Sequence, residues 1–101
     1  MEVTNNTRMK QFEVRMDDHK AELVYRLRKK TLFLMHTYVP EELRGKGIAT
    51  ALATTALEYA KGKGYKIAVL CPFVGAYVKK QPEWYALFDR EYHQNIPHKY
   101  K

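Results

Sequence analysis

Two runs of alternating apolar and polar residues, and a third that is apolar on both faces, give way at Pro40 to a glycine-punctuated turn and then to an alanine-rich helical run. This change of period constrains the fold more than any other feature of the chain. Phe12, Val14 and Met16 alternate with Glu13 and Arg15, the pattern of a half-buried strand. Asp17-Asp18-His19 supplies turn chemistry. Leu23, Tyr25 and Leu27 then share one face, with Glu22, Arg26 and Arg28 on the other. Lys29-Lys30 forms the next tight turn. Residues 31–39 (TLFLMHTYV) are apolar on both faces, as expected of a central strand covered on both sides. Connections this short make the three strands an antiparallel meander.

Beyond Pro40, Thr50, Thr54, Glu58 and Lys61 form a polar helical stripe, and Ile48, Leu52, Ala56 and Tyr59 lie opposite, facing a core. Gly62-Lys63-Gly64 ends this helix. Residues 66–70 read as a short apolar strand, with Cys71 at its end before Pro72. Residues 73–80 read as a short helix, Gln81-Pro82 interrupts it, and residues 83–92 read as a last helix. Residues 1–8 are polar and lack a period, so a flexible terminus is expected, and residues 93–101 read as a basic tail. That leaves residues 9–92 as one domain. The crossover from the third strand through the long helix to the fourth strand makes those two parallel. The expected architecture is α/β (α+β): a mixed sheet with helices on its faces, in the order β-β-β-α-β-α.

Eighteen Lys+Arg against 11 Asp+Glu give a net charge of +7, a field that attracts phosphates, nucleotides, nucleic acid or acidic lipids. No apolar run approaches the ~20 residues that cross a bilayer, and the N-terminus lacks a signal-peptide pattern. The single cysteine excludes an intramolecular disulfide and fits a reducing, cytoplasmic location. Four histidines and this cysteine show no metal-ligand spacing, so no metal site is expected.

The strongest chemical signal is Val39-Pro40-Glu41-Glu42-Leu43-Arg44-Gly45-Lys46-Gly47-Ile48-Ala49, between the central strand and the first turn of the main helix. Backbone N–H groups there have no intrahelical partner and stand at the positive end of the helix dipole. Glycines let a bulky anion approach the backbone. Together they make a pyrophosphate seat, with Arg44 and Lys46 adding charge at its rim. The plain alternative is a tight strand-to-helix turn. The P-loop pattern fails at Pro40 and Gly47, and the dinucleotide pattern fails at Thr50 and lacks a second βαβ half.

Arg44-x-x-Gly47-x-Ala49 resembles the Q/R-x-x-G-x-G/A signature of the GNAT (Gcn5-related N-acetyltransferase) family, at the junction where that family carries it. His36-Thr37-x-Val39-Pro40, Arg44-Gly45-x-Gly47-Ile48-Ala49, Leu70-Cys71-Pro72-Phe73 and Pro82-Glu83 are similar to very small single-domain members of the YjdJ/NATD1 type. The resemblance runs from about Gln11 to Trp84. It implies a GNAT-like fold that binds acetyl-CoA, the backbone of Leu43, Arg44, Gly45, Lys46, Gly47, Ile48 and Ala49 holding the coenzyme A pyrophosphate. It implies also that the pantetheine arm lies beside Val39 and Cys71, where the parallel strands part, and that an acyl group passes to an amine. The usual early helices are missing, which leaves the acceptor wall reduced or supplied by a partner.

Such transfer needs a base for the ammonium proton, donors for the thioester oxygen and an acid for the thiolate. A backbone N–H near Val39 suits the second role and Tyr77 the third, although a packed tyrosine fits Tyr77 as well. His36 is the candidate base, but strand alternation puts it on the core side, where a structural histidine is the alternative. Relatives often carry Glu where this chain has Tyr38, which removes the obvious carboxylate. Cys71 is a candidate nucleophile or acyl relay, or else a small buried hydrophobe. Two other functions stay open: a non-catalytic coenzyme A-binding or regulatory module, and a basic nucleic-acid-binding domain with steeply salt-dependent affinity.

Overall fold

The structure, a computed structural model, describes residues 1–100. One five-stranded sheet has the order β1 (Thr4–Asn6), β2 (Gln11–Met16), β3 (His19–Arg28), β4 (Thr31–Tyr38), β5 (Lys66–Val69). The first four strands run antiparallel, and β4 pairs with β5 in parallel. Asp17-Asp18 and Lys29-Lys30 are the two central residues of two-residue hairpin turns, and all four have positive φ. That geometry matches the right-handed twist of the flanking strands.

α1 (Ile48–Lys63) crosses one face of the sheet and buries Ile48, Leu52, Ala53, Ala56, Leu57 and Ala60. The alanines on that face let it lie close to Phe12, Val14, Leu23 and Leu34, all fully buried in the same core. Leu52→Ala would open a cavity there at a cost of about 2–5 kcal/mol. Gly64 ends α1 with φ +73, its N–H reaching the carbonyls of Ala60 and Lys61. α2 (Pro72–Lys80) begins with proline, whose missing N–H costs nothing in a first turn, and adds Val74 and Val78 to the core.

Both termini depart from the sequence expectation. The first eight residues were expected to be flexible, yet Thr4–Asn6 pairs with β2 as an edge strand. Side-chain amides hold it where apolar pattern is lacking: Asn5 Oδ1 accepts from the Tyr25 hydroxyl (2.7 Å) and Asn6 Nδ2 donates to Glu13 (3.0 Å). The helix expected over residues 83–92 is a 3₁₀ run, Pro82–Leu87, after which the chain lies beside β5 through an Ile67–Phe88 bridge. Backbone groups committed to a strand edge are unavailable to a helical ladder. The expected loose tail of residues 93–101 is packed as far as it is described: Ile96 is buried in the core and Tyr100 stacks 6.0 Å from Tyr85, while Lys101 lies outside the described residues.

Three side chains depart from the exposure or face that alternation predicts. Leu27, placed inward by alternation, is 45% exposed near the end of its strand. Glu13 is on the outer face as expected but buried, accepting from Gln11 (2.6 Å) and Asn6 and flanked by Arg15 and Lys20. His36 changes side because of a bulge. Val24 opposes His36 while Tyr25 opposes Leu34, so Met35 is an extra residue on β4 and the alternation inverts beyond it. His36 and Tyr38 therefore point to the face away from α1, both exposed, and Thr37 turns inward. That outer face of β4 is only partly covered, not closed as a central strand's would be, with Phe33 and Met35 half-buried.

Candidate functional site

β4 ends at Tyr38, and a single 3₁₀ turn, Glu41–Leu43, carries the chain to α1. The fully buried Leu43 pins this turn to the core. Its N–H bonds the Pro40 carbonyl (2.9 Å), and Arg44 N–H bonds the Glu41 carbonyl (3.2 Å). The backbone then needs two left-handed residues, and the sequence supplies glycine at both: Gly45 (φ +80) and Gly47 (φ +75). A side chain added at either would meet no atom within 4 Å, so what demands glycine here is the backbone angle, and the space beside it is open.

Gly47 stands immediately before α1 and carries no side chain to cap it. The first bond of the helix runs from Ala51 N–H to the Gly47 carbonyl (3.0 Å). The N–H groups of Ile48, Ala49 and Thr50 precede that ladder and have no partner within the helix. They open on a cleft of about 240 Å³ lined by Val39, Leu43, Arg44, Gly45, Gly47, Ile48, Ala49, Thr50 and Phe73. Arg44 leans back over it, its Nε donating to the Val39 carbonyl at 3.3 Å. A second cleft of about 310 Å³ adjoins the first through Thr50 and Phe73 and reaches Ala76, Tyr77 and Lys80 on α2 and Gln81 just past its end. Lys46 is exposed and lies outside the lining of both.

The parallel strands part beside these clefts. β4 and β5 pair from Thr31 and Lys66 as far as Leu34 and Val69, and there the Leu34 carbonyl receives two N–H groups, Leu70 (2.9 Å) and Cys71 (3.0 Å). β4 continues to Tyr38 without its neighbour while the other chain turns into α2. Cys71 sits at this parting, 2% exposed, with its sulfur 3.2 Å from the Thr37 hydroxyl. It does not line either cleft.

Tyr77 does line the second cleft, and its hydroxyl is 3.0 Å from that of Thr54 on α1. His36 lies across the sheet from these groups, on the exposed outer face. The structure thus gathers Val39, Leu43, Arg44, Gly45, Gly47, Ile48 and Ala49 into one cleft, with Tyr77 in the next and Cys71 beneath the strand parting. Phe73, Thr50 and the two threonine partners, Thr37 and Thr54, entered the sequence reading only as motif or stripe positions, with no role at the site. Thr54 lies one turn beyond Thr50 on the polar stripe of α1, which is the signal that points to it. Thr37 becomes visible only once the bulge is known.

A mixed sheet that parts between its two parallel strands, with a glycine-shaped helix start beside the opening, is the GNAT acyltransferase architecture. The chain belongs to the GCN5-related N-acetyltransferase family, whose description as GCN5-related N-acetyl-transferase matches residues 11–87, and by that membership it is an acetyltransferase. Protein NATD1 of Xenopus tropicalis is 36% identical over 83 residues, covering 79% of this chain and 76% of that protein. Human NATD1 is also 36% identical over 83 residues, covering 79% and 74%. Human N-acetyltransferase 8B is 50% identical over 44 residues, which is 44% of this chain and 19% of that protein. The solution NMR structure of a GCN5-like protein from Staphylococcus aureus superposes with a TM-score of 0.67 at 24% identity, covering 87% of each chain, and speaks to the fold alone.

Proposed function

We propose that the chain binds acetyl-CoA with its pyrophosphate at the head of α1 and transfers the acetyl group to an amine. The observation that carries this reading is the uncapped start of α1, opening on a cleft that leads to Tyr77 and lies beside the parted strands. Helix-head N–H groups and Arg44 hold the diphosphate. The pantetheine arm enters the gap between β4 and β5, and the Val39 N–H polarises the thioester oxygen.

The amine nitrogen attacks the carbonyl carbon, the carbon–sulfur bond breaks, and the departing thiolate takes the Tyr77 proton. The surplus proton on nitrogen passes through water to His36, which the bulge has turned to the exposed face. Among the described residues no helix precedes β4, so an acceptor arriving from that face meets none of the family's early helices. A second reading, in which Cys71 first takes the acetyl group and then gives it up, is favoured by the place of its sulfur at the strand parting.

Incubation with acetyl-CoA and a panel of amines, read by mass spectrometry, tests these readings. Transfer that survives Cys71→Ala selects direct attack; transfer that stops, with acetyl found on Cys71 in the parent chain, selects the relay. Coenzyme A binding without any transfer selects the non-catalytic module. Absence of binding, together with nucleic-acid affinity that falls steeply with salt, selects the basic nucleic-acid-binding domain.

A further inference from the structure

We propose that His93 is a positioning residue for the transfer: its uncharged imidazole straps the outer edge of β5 and so holds the gap between β4 and β5 at working width. This rests on the cofactor reading above. β5 is an edge strand, so the backbone groups it turns away from β4 need partners from elsewhere. The segment after Leu87, where the family match ends, supplies them. Asp89 N–H donates to the Ile67 carbonyl (2.8 Å), and His93 Nε2 accepts the Val69 N–H (2.8 Å). Val69 is the last residue of β5, and the next two residues send both their N–H groups to Leu34 where the strands part. The histidine bond therefore acts one residue before the opening.

The turn that presents His93 is itself anchored to β4. Asp89 accepts from the Thr31 hydroxyl (2.5 Å) and from Glu91 N–H (2.9 Å), its carbonyl accepts from Tyr92 and His93 N–H (3.0 Å each), and the His93 ring lies 4.5 Å from that of Phe88. One turn thus ties the start of β4 to the end of β5.

A ring nitrogen that accepts a hydrogen bond must be unprotonated. Protonation would set N–H against N–H and leave the Val69 donor without a partner. Burial holds the imidazole below the ordinary histidine range, against the opposing pull of Asp89, the charge that faces it. Lys66 on β5 faces Asp89 in turn; Thr31 on β4, the Phe88 ring and the Val69 backbone carry no charge. Because the folded value is depressed, the strap is intact above about 6.5, the unfolded value, and is lost as pH falls through the lower folded value.

Amide exchange by NMR on the full chain, from about pH 8 down to the edge of acid unfolding, tests the strap after correction for the intrinsic exchange rate. In the parent, protection at Val69, Leu70 and Cys71 falls together at the acid end, by roughly five- to tenfold. In His93→Gln, whose amide oxygen accepts at every pH, protection persists; in His93→Ala it is low throughout. Equal protection across the range in the parent, or acid opening of His93→Gln with the parent's midpoint, overturns the proposal. Titration with coenzyme A then reads the positioning role. Affinity falls with acid in the parent and not in His93→Gln, and unchanged affinity in His93→Ala at about pH 8 overturns that role. If no form binds coenzyme A while exchange behaves as described, the cofactor reading fails and the strap stands on exchange alone.

Discussion

Replacing Gly47 separates the two things this residue does, which are to adopt a left-handed backbone and to leave the helix head clear. With φ at +75, any L side chain costs about 1–2 kcal/mol of folding stability, which for a domain of this size lowers Tm by roughly 5–15 °C. Nothing lies within 4 Å of the new Cβ, so no clash adds to that figure. Gly47→Ala and Gly47→Glu share this penalty, and the glutamate recovers a few tenths of a kcal/mol from the helix dipole. Their effects on binding differ. A carboxylate about 4–5 Å from a seated diphosphate is opposed by roughly 3–4 kcal/mol at an effective dielectric of about 20. The exposure of Gly47 and ordinary salt reduce that to roughly 1.5–2.5 kcal/mol, or about 10- to 70-fold in affinity. Isothermal titration calorimetry with coenzyme A, paired with thermal melts, reads both quantities. Gly47→Glu should melt no lower than Gly47→Ala yet bind far more weakly. Equal affinities for the two variants would refute the placement of the diphosphate at the head of α1.

Tyr77→Phe removes the hydroxyl beside Thr54 and the proposed proton donor together, so kcat should fall at least about tenfold with little change in KM, while stability falls by only about 1 kcal/mol; steady-state kinetics and urea melts check this. Glu13 is pushed up by burial but pulled further down by hydrogen bonds from Gln11 and Asn6 and by the charges of Lys20 and Arg15, so its carboxyl titrates below the usual range. A depressed value means stability that is present above the unfolded pKa and lost as pH falls through the folded one, and Glu13→Gln should flatten the acid side of a urea-melt pH profile. Replacing Lys29-Lys30 by Asn-Gly relieves two positive-φ lysines in a two-residue hairpin, and Tm should rise by several degrees, from roughly 1 kcal/mol, in calorimetry.

The glycine turn before α1 was legible because its requirements are local. The left-handed backbone at residues 45 and 47 is met by glycine, the residue that adopts it without strain, and a helix start follows from the change of period at Pro40. The meander and the parallel pair were legible for the same reason, through short turns and one long crossover. His36 was misplaced because a bulge is a property of two strands at once, and nothing in β4 alone says that Met35 has no partner. The N-terminal strand escaped because asparagine side chains, and no apolar pattern, hold it to β2. The last helix failed for a third reason: residues 88–93 serve the exposed edge of β5, a demand set by a strand some twenty residues earlier.

The start of α1 lacks any cap drawn from the chain itself. An anion that settles there completes the missing hydrogen bonds, so occupancy and folding are linked: a site filled at a hundred times its dissociation constant adds about 2.7 kcal/mol to a domain whose whole stability is of order 5–15 kcal/mol. If coenzyme A is that anion, as proposed, a cell short of it would hold this protein in a less durable form, open more often to proteases, and its abundance would follow the coenzyme's supply.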